Sequence, residues 1–216
     1  MEILKITGGP LAVNTWLLPS GSDRLVIVDP GAQVRSIIAA VERSGRTPES
    51  IWLTHGHFDH LGALQGLMQH WSNLKLAIHP ADGTWLGSGA LARHKAFISG
   101  LGWGSLVSGY TGELPEASLF LENGMELSGW KIIHTPGHSP GSVCFYNEAG
   151  SVLVSGDTLF ADGIGRSDGP GGSQQSLYSS LSLILELPDS TRVLPGHGPE
   201  TTIGRERENL RWISAG

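Results

Sequence analysis

The sequence predicts a mixed α/β protein, and three observations carry that expectation. Short β-branched and aromatic runs, such as Leu25-Val26-Ile27-Val28 and Ser50-Ile51-Trp52-Leu53, read as strands. Apolar residues elsewhere recur at spacings of three and four, as in Leu61, Leu64, Met68 and Trp71, which is the pattern of one helix face. A chain of 216 residues with 39% hydrophobic and 16% charged content can bury a large core, and the simplest division is one domain over 1–216.

Taken in order, Ile3 to Thr7 and Ala12 to Leu18 are strand-like runs separated by Gly8-Gly9-Pro10. Gly21-Ser22-Asp23 then leads into the third run, so the opening reads as an antiparallel meander. Asp29-Pro30-Gly31 ends it, before a helix over about Val34 to Arg43. Asp29 has two readings: a cap for the turn, or an acceptor that fixes the ring orientation of a ligating histidine. Leu74 to His79 reads as a strand whose last residue is biased toward extended backbone by Pro80. The segment 87–116 lacks a clean period and mixes seven glycines with Trp103, Tyr110 and the patch Arg93-His94-Lys95. It reads as a Gly-rich insertion that covers a site or holds an anionic substrate, with Lys95 as a candidate contact, beside the plainer reading of a surface excursion. Strand-like runs return at Leu119 to Leu121, Met125 to Leu127, Trp130 to His134, Val143 to Tyr146, Val152 to Ser155 and Arg192 to Leu194.

The charge balance narrows the partners. With 20 acidic against 14 basic residues and a net charge of -6, the chain does not suit a phosphate-tracking surface, so no nucleic-acid partner is expected. Cys144 is the single cysteine and reads as a small apolar residue in a strand. With no internal disulfide to form, and no long apolar segment of the signal-peptide or membrane-helix kind, the expected location is cytoplasmic with no membrane partner.

The chemistry concentrates in Thr54-His55-Gly56-His57-Phe58-Asp59-His60, where four potential metal ligands fall within six positions. The stretch joins a strand to a helix. On its extended side, side chains two apart point the same way, so His55 and His57 can reach one ion, while Asp59 and His60 lie further round the bend and can face a second. Three more candidates follow short strands. His138 sits in Thr135-Pro136-Gly137-His138-Ser139-Pro140-Gly141-Ser142, Asp157 in Gly156-Asp157-Thr158, and His197 between Pro195-Gly196 and Gly198-Pro199. If these strands share sheets, their loops gather along one edge. His70, His79, His94 and His134 lack that context and read as ordinary polar or packed residues.

The whole series, extended by Ser155-Gly156-Asp157-Thr158-Leu159-Phe160, resembles the metallo-β-lactamase superfamily and, within it, the glyoxalase II group. The likeness runs from Val28-Asp29-Pro30-Gly31 to Thr202-Ile203-Gly204-Arg205-Glu206. It implies a four-layer αβ/βα sandwich of two mixed β-sheets with helices on the outer faces. It also implies two divalent metal ions, zinc first, with iron or manganese also suited to such ligands. The resemblance assigns His55, His57 and His138 to one ion, Asp59, His60 and His197 to the other, and Asp157 to both. Asp59 and Asp157 are then the catalytic pair, and a hydroxide between ions about 3.5 to 4 Å apart attacks the carbonyl of a thioester such as S-D-lactoylglutathione. Asp29 stands behind the ligands. The chain ends at Gly216, without the helical C-terminal domain that longer members use to hold glutathione, so it resembles the short type. The loop Asp162-Gly163-Ile164-Gly165-Arg166-Ser167-Asp168 resembles that branch; Arg166 either holds a substrate carboxylate or maintains the loop, and Phe160 is a further substrate contact.

Four other readings compete. A persulfide dioxygenase shares the Gly165-Arg166-Ser167-Asp168 pattern but uses one iron held by two histidines and an aspartate. The commonest zinc β-lactamases have cysteine where Asp157 stands, and flavodiiron oxygen reductases have a carboxylate where His57 stands. A non-catalytic metal scaffold calls for a closed, mostly cysteine-rich site, which seven His and Asp ligands do not make.

Overall fold

The apolar runs of the N-terminal half line up as one sheet. In the computed structural model, which describes residues 2–31 and 33–211, β1 (Leu4–Gly8), β2 (Val13–Pro19) and β3 (Arg24–Val28) form the expected antiparallel meander. To it β4 (Thr47–Trp52), β5 (Lys75–Ile78) and β6 (Leu119–Phe120) add in parallel, in the order β1-β2-β3-β4-β5-β6. Parallel neighbours need crossovers. These are α1 (Val34–Ser44), then α2 (Phe58–Leu61) with α3 (Leu64–His70), then α4 (Ala90–Gly100). Helix α1 stops at Gly45, whose left-handed φ of 66° lets its N–H close onto the Glu42 carbonyl.

Strand alternation sets the core. Leu17, Leu25, Ile27, Ile51, Leu53, Leu76 and Ile78 project from one face onto Ile37, Val41, Leu64, Leu67 and Leu91 of the helices. Trp16, Val26, Val28 and Trp52, at the alternate positions, are buried as well. Strands covered on both faces read as continuous apolar runs, which is why β3 is so plain in the sequence.

Two expectations in this half change. The helix expected from Leu61 to Trp71 is broken at Gly62-Ala63, because the Ala63 N–H donates to the Pro30 carbonyl at 3.1 Å instead of to its own helix. The segment 87–116 is not aperiodic: it holds α4 and a short 3-10 turn, Gly104–Leu106. Helix α4 buries only Ala90, Leu91 and His94, a stripe too narrow to stand out among the surrounding glycines. Beyond it, the chain is strapped down by Gln65 Nε2 donating to the carbonyls of Thr111 at 3.0 Å and Glu113 at 2.8 Å.

The C-terminal half builds a second mixed sheet. Its strands are β7 (Glu126–Leu127), β8 (Trp130–His134), β9 (Val143–Asn147), β10 (Val152–Gly156), β13 (Arg192–Pro195) and β14 (Thr201–Thr202), in the order β14-β13-β10-β9-β8-β7. A hairpin of β11 (Leu159–Phe160) and β12 (Gly163–Ile164) stands apart. Between β10 and β13, which are parallel, runs α5 (Gln174–Ile184); α6 (Ile203–Asn209) closes the unit. The sequence reading leaves α5 unassigned, although Leu177, Leu181 and Ile184 recur at helical spacing and pack on Cys144, Leu153 and Val193. Ser173 caps it, its Oγ accepting the Ser176 N–H at 3.2 Å.

The class is therefore α/β, two mixed sheets with helices. The packing divides the chain into two compact units, Glu2–Phe120 and a second from Leu121 onward, whereas the sequence reading takes 1–216 as one domain. Among the described residues no helix is long and apolar enough to cross a membrane.

Candidate metal centre

Strand direction explains where the chemistry collects. In the N-terminal unit β3, β4 and β5 are parallel, so Asp29, the Thr54–His57 turn and the residues after Ile78 all leave the same sheet edge. In the C-terminal unit β10 and β13 are parallel, and two antiparallel steps through β9 bring β8 into the same direction. His138, Asp157 and His197 accordingly follow the carboxyl ends of three strands at one edge.

In the N-terminal unit the organising residue is Asp29, 1% exposed and held at a φ of 49°. Its Oδ1 accepts the Thr54 N–H at 2.8 Å, while its Oδ2 accepts the Thr54 hydroxyl at 2.6 Å and His60 Nδ1–H at 3.0 Å. Because the Thr54 proton goes to Asp29, the lone pairs of Thr54 Oγ1 are left for His55 Nδ1–H, 3.0 Å away. This network assigns both imidazoles the same tautomer and leaves each Nε2 with a lone pair. The rings are clustered, with His55 centred 4.7 Å from His57 and 4.2 Å from His60. Asp29, His55 and His60 offer ligand atoms within 4.8 Å of one another. Asp59 sits in the first turn of α2, its Oδ2 3.5 Å from His60 Nε2.

Sequence reasoning missed two supports of this turn. Asp82 is fully buried and its Oδ2 accepts the Gly56 N–H at 2.8 Å; followed by Gly83, it looks like an ordinary turn residue. The hydroxyl of Thr54 is the other, visible beforehand only as a polar residue at a strand end. Gly56 itself must be glycine, since a Cβ there would lie 2.5 Å from the Trp85 ring.

His94 proves to be a packed histidine, as expected. It is 1% exposed, between the rings of Trp85 at 4.8 Å and Phe58 at 5.2 Å, with Nε2 bonded to the Trp85 carbonyl at 2.9 Å. Burial holds its pKa down to about 4 from 6.5, against the opposing pull of that carbonyl. With the folded value below the unfolded one, the unfolded chain takes the proton first. Its contribution is present above pH 6.5 and is lost as the pH falls toward 4, about 3 kcal/mol over that window. Denaturant midpoints at pH 7 and 4.5, both with chelator present, should fall more steeply for the wild type than for His94→Gln. Parallel decreases in the two proteins would contradict this.

In the C-terminal unit Asp157 is the centre. Its Oδ2 lies 3.6 Å from His138 Nε2 and 3.6 Å from His197 Nε2. His138 Nδ1–H donates to the Arg166 carbonyl at 2.7 Å, so its Nε2 also carries a lone pair. Separations of 3.5 to 3.6 Å are too long for hydrogen bonds. They match two atoms ligating one ion: ligands 2.0 to 2.2 Å from a tetrahedral centre stand about 3.3 to 3.6 Å apart. The donor set fits a divalent metal. Two glycines hold the frame: a Cβ at Gly165 would lie 1.8 Å from the Asp157 carbonyl, and one at Gly137, where φ is 140°, 2.3 Å from the Leu177 nitrogen.

The candidate substrate contacts are placed as follows. The Phe160 ring is 6.2 Å from that of His197. The exposed Arg166 guanidinium makes two bonds of 2.9 Å to Asp168, which raises its own pKa and lowers that of Asp168. Lys95 Nζ donates to the Tyr110 carbonyl at 2.7 Å. Cys144 is the buried apolar residue expected, its thiol pushed up to about 11 by burial. His134 braces the His138 loop through the Pro140 carbonyl at 2.9 Å, and His79 Nδ1 accepts the Ala81 N–H at 3.2 Å.

Imidazoles with one nitrogen locked and the other beside a carboxylate, displayed at strand ends of an α/β fold, define a protein of the metal-binding class. A family model described as the Metallo-beta-lactamase superfamily matches residues 8–197, and the chain belongs to that superfamily. It is 37% identical over 219 residues to the probable metallo-hydrolase YqgX of Bacillus subtilis, covering 99% of this chain and 98% of that one. The hydroxyacylglutathione hydrolase GloC of Haemophilus influenzae is 31% identical over 226 residues, 100% of this chain and 98% of its own. A crystal structure of TTHA1623 in a di-iron-bound form is similar at a TM-score of 0.80 and 37% identity, covering 95% of this chain and 98% of that one.

Proposed function

We propose that this protein is a binuclear metal-dependent hydrolase of thioesters, with S-D-lactoylglutathione as the first substrate to test. The observation that carries the reading is Asp157, one carboxylate oxygen of which stands 3.6 Å from each of two imidazole nitrogens, as a ligand shared by two ions would. In this reading His55, His57 and His138 hold one ion, Asp59, His60 and His197 hold the other, and Asp157 serves both. The name of the Haemophilus relative supports the substrate class, and the di-iron form of TTHA1623 supports paired metals. Zinc, iron and manganese all suit such ligands.

When bound, paired divalent ions bring the pKa of water toward about 7 and polarise a carbonyl. The protein's own groups do the rest. Asp59, partly exposed in the first turn of α2, orients the attacking water and takes its proton. Asp29, through Thr54 and directly, keeps His55 and His60 in one tautomer so that their Nε2 atoms never have to reorient. The proposal includes a small-molecule partner and a cytoplasmic location, supported by the acidic balance and the single buried cysteine.

The test is metal analysis of the purified protein beside a thioester panel that includes S-D-lactoylglutathione. About two ions per chain are expected, with hydrolysis abolished by chelation and restored by metal. One iron per chain, oxygen consumption with a persulfide and no thioester cleavage would replace this reading with the mononuclear dioxygenase.

A further inference from the structure

We infer that the preferred thioesters carry a neutral aromatic group, and that Phe97 selects them by packing beside His57. This rests on the thioester-hydrolase reading and narrows it. Phe97, on α4, is half-buried and lies nearly parallel to the His57 ring, 6.1 Å between centroids at 24°. Trp85, also half-buried, is centred 6.0 Å from Phe97, its ring tilted by 52°. On its α4 side the proposed ligand His57 is thus flanked by an aromatic ring with part of its surface left to solvent. A partly exposed ring beside a proposed ligand histidine suits an apolar group, which gains from offset or edge stacking as well as from leaving water.

The charge balance argues the same way. A glutathione conjugate brings two carboxylates, and the net charge of -6 works against a substrate so charged. Of the basic groups that the sequence offers, Lys95 Nζ donates to the Tyr110 carbonyl, Arg93 to the carbonyls of Thr84 and Ser88, and Arg166 to Asp168. A neutral aromatic thioester needs no further cation.

The experiment compares S-ethyl phenylthioacetate and S-benzyl thioacetate with S-ethyl thioacetate and S-D-lactoylglutathione, in the metal-loaded wild type, Phe97→Ala and Phe97→Leu. At least one aromatic thioester should exceed both non-aromatic ones in kcat/KM by about tenfold or more. Phe97→Ala should collapse that ratio mainly through KM, with Phe97→Leu intermediate. A preference for S-D-lactoylglutathione, or a ratio untouched by Phe97→Ala, would overturn the inference. Calorimetry with N-ethyl-2-phenylacetamide and N-ethylacetamide, which are not cleaved, separates the two readings. If no thioester is hydrolysed, the hydrolase reading falls. Tighter, Phe97-dependent binding of the phenyl amide would still support the aromatic site, and equal binding of the two amides would overturn it.

Discussion

Replacing Asp157 with alanine is expected to lower thioester hydrolysis by about two to three orders of magnitude and to leave about one ion per chain in place of two. The reason lies in a single oxygen. Asp157 Oδ2 is 3.6 Å from the Nε2 atoms of both His138 and His197, whose neutral imidazoles have no negative charge of their own to hold a second dication. Alanine removes the shared charge and the shared ligand together. Asp157→Asn, which retains the shape and one oxygen, should recover part of the metal binding but little of the turnover. Metal content by mass spectrometry and initial rates at saturating metal measure the two effects separately. Turnover near that of the wild type with one ion bound would defeat the proposed bridging role.

The Asp29→Asn variant should bind metal about 10- to 100-fold more weakly, although Asp29 is not among the proposed ligands. Asparagine tolerates the left-handed backbone at this position and can still accept the Thr54 N–H through its one oxygen. Its amide NH2, however, faces the Thr54 hydroxyl and His60 Nδ1–H, both of which donate to Oδ2 in the wild type. Three donors cannot satisfy one another. The lowest-cost repair turns the Thr54 hydroxyl and moves the His60 proton to Nε2, which removes the lone pair that a metal needs. Chelator competition reads the affinity, and nitrogen NMR of the imidazoles reads the tautomer. An unchanged affinity with both histidines still protonated at Nδ1 would show that Asp29 does not govern them. Leaving buried donors unpaired should also lower stability by about 1 to 3 kcal/mol.

Much of this architecture is legible in the sequence where the signal is local. The meander of β1 to β3, helix α1 with Gly45 beyond it, and the strand ends bearing His55, His138, Asp157 and His197 all follow from patterns within ten residues or so. Long-range partners are not legible. The bond from Asp82 to Gly56 spans 26 residues, that from Asp29 to His60 spans 31, and that from His138 to the Arg166 carbonyl spans 28. The same limit bears on Lys95 and Arg166, where the composition shows two cations able to meet a substrate and the fold gives each a partner of its own. Helices α4 and α5 escaped notice for a different reason, since glycine-rich flanks and a serine-rich face weaken the apolar period by which a helix is recognised.

The amino-acid order alone determines which residue types are present and which of them end a strand, because strand and turn propensities act over a few neighbours. That is enough to mark seven candidate metal ligands. The tertiary structure decided which nitrogen of His55, His60 and His138 carries its proton, and which charged groups are already paired. Both depend on contacts between chain segments that only packing brings together, and a side chain's protonation and reach are properties of its surroundings as much as of its own chemistry.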